Sequence, residues 1–329
     1  MDRRKVIGLL GVAASWPCTA RAQFGGNTHL PTIGVLHSTS LSYFAKFQNS
    51  VRQGLKEAGW IEGTNVQLEY RWAEGHPDRL PALAADLVAQ NVTAIFAVGG
   101  SAPARAAKAA SSTIPIVFIS AADPLKDGLV MSLNKPGANV TGVSLIGSSL
   151  EAKRLELLKQ LVPKASLVGA LSNPKYPDME RERQELQRAA NGLNQPIVFV
   201  NATSPQEIDA AFASLAQQHA DALIVAQDIL FNTRNEQITA LAAHYHLPAI
   251  YNQREYPAVG GLISYGPHFA DGYRQAGVYV GRVLNGEKPA NLPIQQPTRF
   301  EMVINLKTAK ALGVTIPQML LATADEAIE

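Results

Sequence analysis

Short apolar runs alternate with amphipathic stretches along this chain, and the same succession of strand, turn and helix is written twice. In the first half, Pro77-Asp78-Arg79-Leu80-Pro81-Ala82-Leu83-Ala84 opens a helix that leads into Ala94-Ile95-Phe96-Ala97-Val98. A Gly-rich turn, an Ala-rich helix and Ile114-Pro115-Ile116-Val117-Phe118 follow. In the second half, Pro205-Gln206-Glu207-Ile208-Asp209-Ala210-Ala211-Phe212 leads into Ala222-Leu223-Ile224-Val225-Ala226, then a polar loop, a helix, and Leu247-Pro248-Ala249-Ile250-Tyr251. Ile33-Gly34-Val35-Leu36 ahead of an amphipathic helix echoes Val168-Gly169-Ala170-Leu171 ahead of Arg181 to Ala190. Runs that are apolar at every position predict parallel strands covered on both faces. Ligands of such sheets bind beyond the carboxyl ends of the strands. Two lobes with those edges opposed enclose a cleft.

The pattern predicts strands at 32–37, 65–71, 94–98, 115–119 and 139–143, then at 167–171, 197–201, 222–226, 249–251 and 261–265. Leu150, Leu155, Leu157, Leu158 and Leu161 share the apolar face of a helix from Leu150 to Leu161. A second amphipathic helix, Phe269 to Leu284, is stopped by Asn285-Gly286 and Pro289. Pro293 to Pro297, Phe300-Glu301-Met302-Val303-Ile304 and a short final helix complete the chain. The expected fold is α/β, with two similar doubly wound parallel-sheet lobes. Residues 31–142 with 267–297 form the first lobe, and residues 143–266 with 298–329 the second. Crossings near Val143, Tyr265 and Pro297 make a three-crossing hinge, which permits closure by rotation. A single large sheet is the alternative, and it leaves the repeat without a cause.

At 329 residues and 47% hydrophobic content, the chain suffices for two domains with a core in each. Residues 1–22 read as an export signal: Arg3-Arg4-Lys5, the apolar stretch Val6 to Trp16, and the small-x-small site Ala20-Arg21-Ala22, giving a mature start at Gln23. The apolar stretch falls short of the roughly 20 residues of a membrane span, so no direct membrane insertion is expected after cleavage. Arg3-Arg4 suits a twin-arginine route, and Sec leaders also begin this way. Cys18, the only cysteine, follows Trp16-Pro17, which does not fit a lipoprotein signal. A mature chain without cysteine holds neither a disulfide nor a thiol nucleophile. The leader takes four basic residues and one acid off the formal +2, leaving −1. That balance gives no electrostatic footprint for nucleic acid or an anionic membrane.

The machinery of an enzyme is missing. There is no Gly-x-Ser-x-Gly elbow, Walker loop, His-Glu-x-x-His or Gly-x-Gly-x-x-Gly. His244 and His246 fall on different faces of a helix end, which disfavours a shared metal. No cofactor or metal is called for. Asp123 and Asp228 lie in cleft-facing loops, where an aldolase or hydrolase would use such a pair, without other support. A binding site asks for less. In Gly99-Gly100-Ser101-Ala102-Pro103 the glycines let a ligand approach the backbone, and the amides and dipole of the following helix favour an anion. An ordinary serine cap is the competing reading. His37-Ser38-Thr39-Ser40, with Tyr43 nearby, forms a second hydroxyl cluster or another cap. Ser172-Asn173-Pro174 and Gln227-Asp228 hold the corresponding strand ends of the facing lobe. There Tyr176 and Phe231 are expected to be exposed, and Asp228 either meets a cationic group or caps the next helix. Arg254-Glu255 reads as a local ion pair.

Several segments resemble a known family. Arg79-Leu80-Pro81-Ala82-Leu83-Ala84-Ala85-Asp86-Leu87-Val88, Ile114 to Asp123-Pro124, Val140-Thr141-Gly142-Val143, Gly260-Gly261-Leu262-Ile263-Ser264-Tyr265-Gly266 and Phe300 to Ala309 together are similar to ABC-transporter substrate-binding proteins of the type I periplasmic binding fold, in the branch with tryptophan- and phenylalanine-binding members. The resemblance spans nearly the whole mature chain. It implies a soluble periplasmic receptor that delivers a small solute to an inner-membrane ABC permease, and the identity of the solute does not carry over with the fold. The expected solute is amino-acid-like or carboxylate-bearing, bound by a monomer and, for want of catalytic motifs, released unchanged. Ser38, Thr39, Gly100, Ser101, Ala102, Asp123, Ser172, Asn173 and Asp228 are the expected ligand contacts. A receptor reporting to a membrane sensor would use the same cleft, and an exported two-lobe enzyme would be revealed by turnover of its ligand.

Overall fold

Strand and helix alternate from the first described residues onward: β1 (Thr32–His37), α1 (Leu41–Glu57), β2 (Gln67–Trp72), α2 (Leu80–Ala89), β3 (Ala94–Val98), α3 (Ser101–Ala110), β4 (Ile116–Ser120) and β5 (Val140–Ser144). The computed structural model describes residues 30–145 and 150–329, and the expected export signal lies outside them. The five strands form one parallel sheet in the order β2-β1-β3-β4-β5. Ala94 to Val98 and Ile116 to Ser120 are buried at every position, as the unbroken apolar runs require. Edge strand β2, Gln67-Leu68-Glu69-Tyr70-Arg71-Trp72, alternates instead.

The second half supplies α4 (Leu150–Leu161), β6 (Val168–Ser172), α5 (Met179–Gly192), β7 (Ile197–Asn201), α6 (Pro205–Gln217), β8 (Ala222–Val225), α7 (Ile229–Thr233), α8 (Asn235–His244), β9 (Ala249–Tyr251), α9 (Glu255–Ala258) and β10 (Ile263–Pro267). After them come α10 (Phe269–Leu284), β11 (Phe300–Asn305), α11 (Leu306–Ala311), α12 (Gln318–Thr323) and β12 (Glu326–Ile328). The second sheet runs β12-β11-β10-β9-β8-β6-β7, parallel except for the β10–β11 pair. Each sheet is sandwiched between two apolar layers. Val35, Phe96 and Val117 face Phe44 and Phe47 of α1, while Leu36, Ile95 and Phe118 face Leu80, Leu87 and Ala104 of α2 and α3. Ala170 and Ile224 pack on Leu155 and Leu158 of α4, and Leu223 and Val225 on Phe212 and Leu215 of α6.

α10 does not cover the sheet it follows. Its Phe269, Tyr273, Ala276 and Val280 join the core of the first sheet, and Tyr273 stacks on Phe47 with ring centroids 4.3 Å apart. The two helix backbones meet closely: a Cβ on Gly54 would stand 1.9 Å from the Arg274 carbonyl oxygen, and one on Gly277 would stand 2.3 Å from that of Val51. Between the sheets, three segments run side by side. Ser144 N–H donates to Gln295 O (2.8 Å), Gln295 N–H to Gly142 O (3.0 Å), and His268 N–H to Arg299 O (3.1 Å). Residues 31–329 pack as one compact unit around this junction.

Three local expectations differ from what is observed. The chain ends on a strand, not a helix, because Asp325 N–H donates to Met302 O (2.9 Å) and its carboxylate accepts from Met302 N–H (2.8 Å), docking β12 on the edge of β11. Phe231 is fully buried in the core beside α6, since the polar loop after β8 folds into α7 and turns the ring inward. Arg254 pairs not with Glu255 but with Glu301 (3.2 Å) and Glu326, drawn there by carboxylates of β11 and β12.

Candidate functional site

The carboxyl ends of β1, β3 and β4 form the first wall of the cleft. After β1, buried Ser38 donates its hydroxyl to Gly99 O (2.5 Å), tying the first loop to the one after β3. Thr39 is buried as well, its N–H donating to His37 Nδ1 (3.0 Å) with its hydroxyl 3.2 Å from the same nitrogen. Gly99 sits at φ 88°, where a Cβ would stand 2.2 Å from Ser38 Oγ, so only glycine fits. Gly100 caps α3 without a side chain, leaving the first-turn amides of Ser101 and Ala102 without a side-chain partner at the positive end of the helix dipole. Arg105 donates to Ser101 Oγ (3.2 Å), and the Ser101 proton is therefore available to another acceptor. Asp123, after β4, turns its carboxylate onto Leu125 N–H (2.9 Å), closing its own loop.

The opposite wall comes from the ends of β6, β8 and β9. Ser172 donates to Asn201 Oδ1 (3.1 Å). Asn173 donates to Asp228 Oδ1 (3.1 Å) and accepts from Lys175 N–H (2.9 Å). Asp228 is the N-cap of α7, accepting from Leu230 N–H (2.8 Å). Burial raises its pKa, against the lowering effect of Asn173 and the α7 amides. After β9, Asn252 donates to Gln227 Oε1, while Asn252 Oδ1, both amide atoms of Gln253 and Glu255 Oε2 are buried without partners. Glu255 is pushed up chiefly by burial.

Among the described residues, two hydrogen bonds cross between the walls. Tyr176 donates its hydroxyl to Ala121 O (3.2 Å), and Asp123 N–H donates to Asp178 Oδ2 (2.8 Å). The Tyr43 hydroxyl faces Asn232, Gln253 and Glu255 of the other wall, and burial followed by the Glu255 charge pushes its pKa up. The outer mouth stays open as a groove of about 840 Å³ between Thr39, Tyr43, Lys46 and His76 on one side and Ser204, Asn232 and Arg234 on the other. The structure thus brings Ser38, Thr39, Gly100 and Ser101 together on one wall and Ser172, Asn173 and Asp228 on the other. Asp123 reaches across only through its backbone.

Residues with a clear place in this cleft but no place in the sequence reading are Asn252, Gln253, Glu151 and Glu182. Glu151 and Arg154 lie buried on the same stripe of α4 as Leu155 and Leu158. Glu182 shares a face of α5 with Leu186 and Ala190. Charged residues interrupting an apolar stripe are a legible signal. Among the described residues, no group of three or more His, Cys, Asp and Glu side chains is arranged to hold a metal. Nor is any helix among them long and apolar enough to cross a membrane.

A chain of this architecture has known relatives. Its structure matches that of a domain from Streptococcus pneumonia solved in complex with L-Trp, with a TM-score of 0.83 at 26% identity, covering 91% of this chain and 100% of the other. It matches the ligand-free, open form of a substrate-binding protein with adhesive properties from Clostridium difficile at a TM-score of 0.68 and 24% identity, covering 91% and 99%. In sequence it is 27% identical over 317 residues to a tyrosine-binding protein of Clostridioides difficile, covering 94% of this chain and 91% of that one. The profile of the family described as ABC transporter substrate binding protein matches residues 33–328. On that match, which takes in both sheets and the junction between them, the chain belongs to the ABC-transporter substrate-binding proteins.

Proposed function

We propose that this protein is the exported receptor of an ABC importer, capturing a small amino-acid-like, carboxylate-bearing solute in its cleft and passing it unchanged to an inner-membrane permease. The observation that carries the reading is the start of α3. Two first-turn amides, the dipole of a ten-residue helix and a hydroxyl with a free proton are gathered there, beside the loop that Ser38 ties to Gly99. A carboxylate suits that place, with Ser38 and Thr39 beside it and Ser172, Asn173 and Asp228 on the opposite wall. The ligands named for the relatives, tyrosine and L-Trp, point to the same class. The two lobes that close on the solute are residues 31–142 with 267–297 and residues 143–266 with 298–329, and the bonds from Tyr176 and Asp178 to the first wall suit a closed form.

The solute is identified by mass spectrometry of gently denatured, freshly purified protein, then titrated against variants. Ser101→Ala is expected to weaken it by about tenfold, the loss of one hydrogen bond to a charged group. Asp228→Asn keeps an acceptor for Leu230 N–H, so lost affinity at unchanged stability marks a ligand contact and not a cap. Wild-type affinity in Ser101→Ala overturns the carboxylate placement, and chemical turnover of the solute overturns the receptor reading.

A further inference from the structure

At the inner end of the cleft, beside the junction of the sheets, two narrow hollows adjoin. They share Glu151, Glu182 and Gln227 in their linings, and each is about 20 Å³, room for roughly one water or one ammonium group. Glu151 is only 5% exposed. One of its oxygens accepts from Arg154 Nη1, whereas Oε2 is buried with no partner. Glu182 Oε2 is buried and unpartnered as well, and the nearest cation to Glu182, Arg181, stands 3.9 Å from Oε1. The neighbouring cations are committed elsewhere. Arg154 also donates to Tyr265 O (2.9 Å), Arg181 is held by Glu185 (3.0 Å), and Arg183 lies over the Phe199 ring at 4.4 Å. On the far side, the lining turns apolar with Met179, Leu186, Phe199 and Ile224.

Two free carboxylate oxygens beside apolar carbon match a positive head on an apolar body. We propose that the inner end of the cleft is an ammonium subsite, where a primary amine of the solute enters between Glu151 and Glu182 with the carbon that bears it turned toward Leu186 and Phe199. The inference rests on the receptor reading and names the solute as an amine. Without ligand, burial first and then the Glu151 charge raise the Glu182 pKa well above the carboxylate range, while Arg154 and Arg181 act against the rise and Asp178 with it. Glu185 also borders the hollow, and the first lobe and junction contribute Ala121, Leu145 and Pro267, none of which titrates. An arriving ammonium stabilises the Glu182 carboxylate, whose proton passes to solvent. Binding therefore shifts Glu182 toward its ionised form, and the proton it gives up is read as a heat that varies with buffer ionisation enthalpy.

The test is calorimetric titration of the mature chain with L-tryptophan, tryptamine and indolepropionate, in phosphate and in Tris near neutral pH. The two amines are expected to bind with proton release and the acid to bind far more weakly. Glu182→Gln should weaken the amines by about thirtyfold or more and abolish the proton release. Glu151→Gln strands Arg154, so Glu182→Gln is the decisive variant. Failure of both amines to bind, indolepropionate binding as tightly as L-tryptophan, or wild-type affinity in Glu182→Gln overturns the subsite. A co-purified solute lacking basic nitrogen overturns it too, yet leaves the receptor reading standing.

Discussion

His37 has no access to water and is ringed by Tyr43, Phe44 and Trp72. Burial disfavours its imidazolium form and lowers the pKa from 6.5 to about 3. Because Thr39 N–H donates to Nδ1, the neutral ring keeps its proton on Nε2. The sign of the stability effect follows. The unfolded chain binds a proton at His37 below pH 6.5 and the folded chain only near pH 3, so stability present above 6.5 is lost as the pH falls through that window. At pH 5 the loss is about 2 kcal/mol. Buried acids with raised pKa, Asp228, Glu182 and Glu255, act in the opposite direction, so a paired comparison isolates His37. His37→Gln, which retains an acceptor for Thr39, should show less loss of unfolding free energy between neutral pH and pH 5 than wild type by about that amount. Equal losses in the two proteins would show that the ring is not held neutral.

At the scale of elements, the contact that fixes α10 on the first sheet is its crossing with α1. Replacing Gly54 by alanine gains about 1 kcal/mol of helix propensity in isolation. Its methyl, however, would drive into the Arg274 carbonyl, and overpacking of that kind costs about 1–3 kcal/mol or more. Gly54→Ala is therefore expected to lower the urea midpoint, and a raised midpoint would mean that the helices do not touch there. The sequence could not show this pairing, since a glycine inside a helical pattern reads only as a local weakness. Apolar runs did show the strands: Ala94 to Val98 and Ile197 to Asn201 fall where the pattern puts them, and Phe269 to Leu284 is bounded by its own stop signals. β12 escaped notice because three residues docked through backbone bonds leave no periodicity. Ser38, Ser101, Asn173 and Asp228 were legible as polar residues at strand ends. Gln253 was not, because burial beside distant elements, and not local spacing, sets it apart, whereas Glu182 carries a local signal as a charge on the apolar stripe of α5.

At the scale of the whole molecule, the cleft is drawn together by few bonds. Removing the Tyr176 hydroxyl deletes a bridge to Ala121 at a cost of about 1 kcal/mol, which shifts a closed-to-open balance roughly fivefold. Ligand-free Tyr176→Phe should scatter as a larger particle than wild type and contract on saturation with the identified solute. Profiles that do not differ with and without that solute would count against closure. The return of α10 also has a bearing on how the molecule comes into being. Phe44, Phe47 and Val51 of α1 find their partners Phe269, Tyr273 and Val280 only after β6 to β10 have been made. Contacts so distant in sequence are slow to form, and they leave apolar surface bare in the meantime. A chain stopped before Phe269 would hold all five strands of its first sheet and still present an unfinished, sticky face. Biogenesis of the first lobe is thus completed from the far end of the chain, and a nascent fragment, however long, stays in need of protection until that helix arrives.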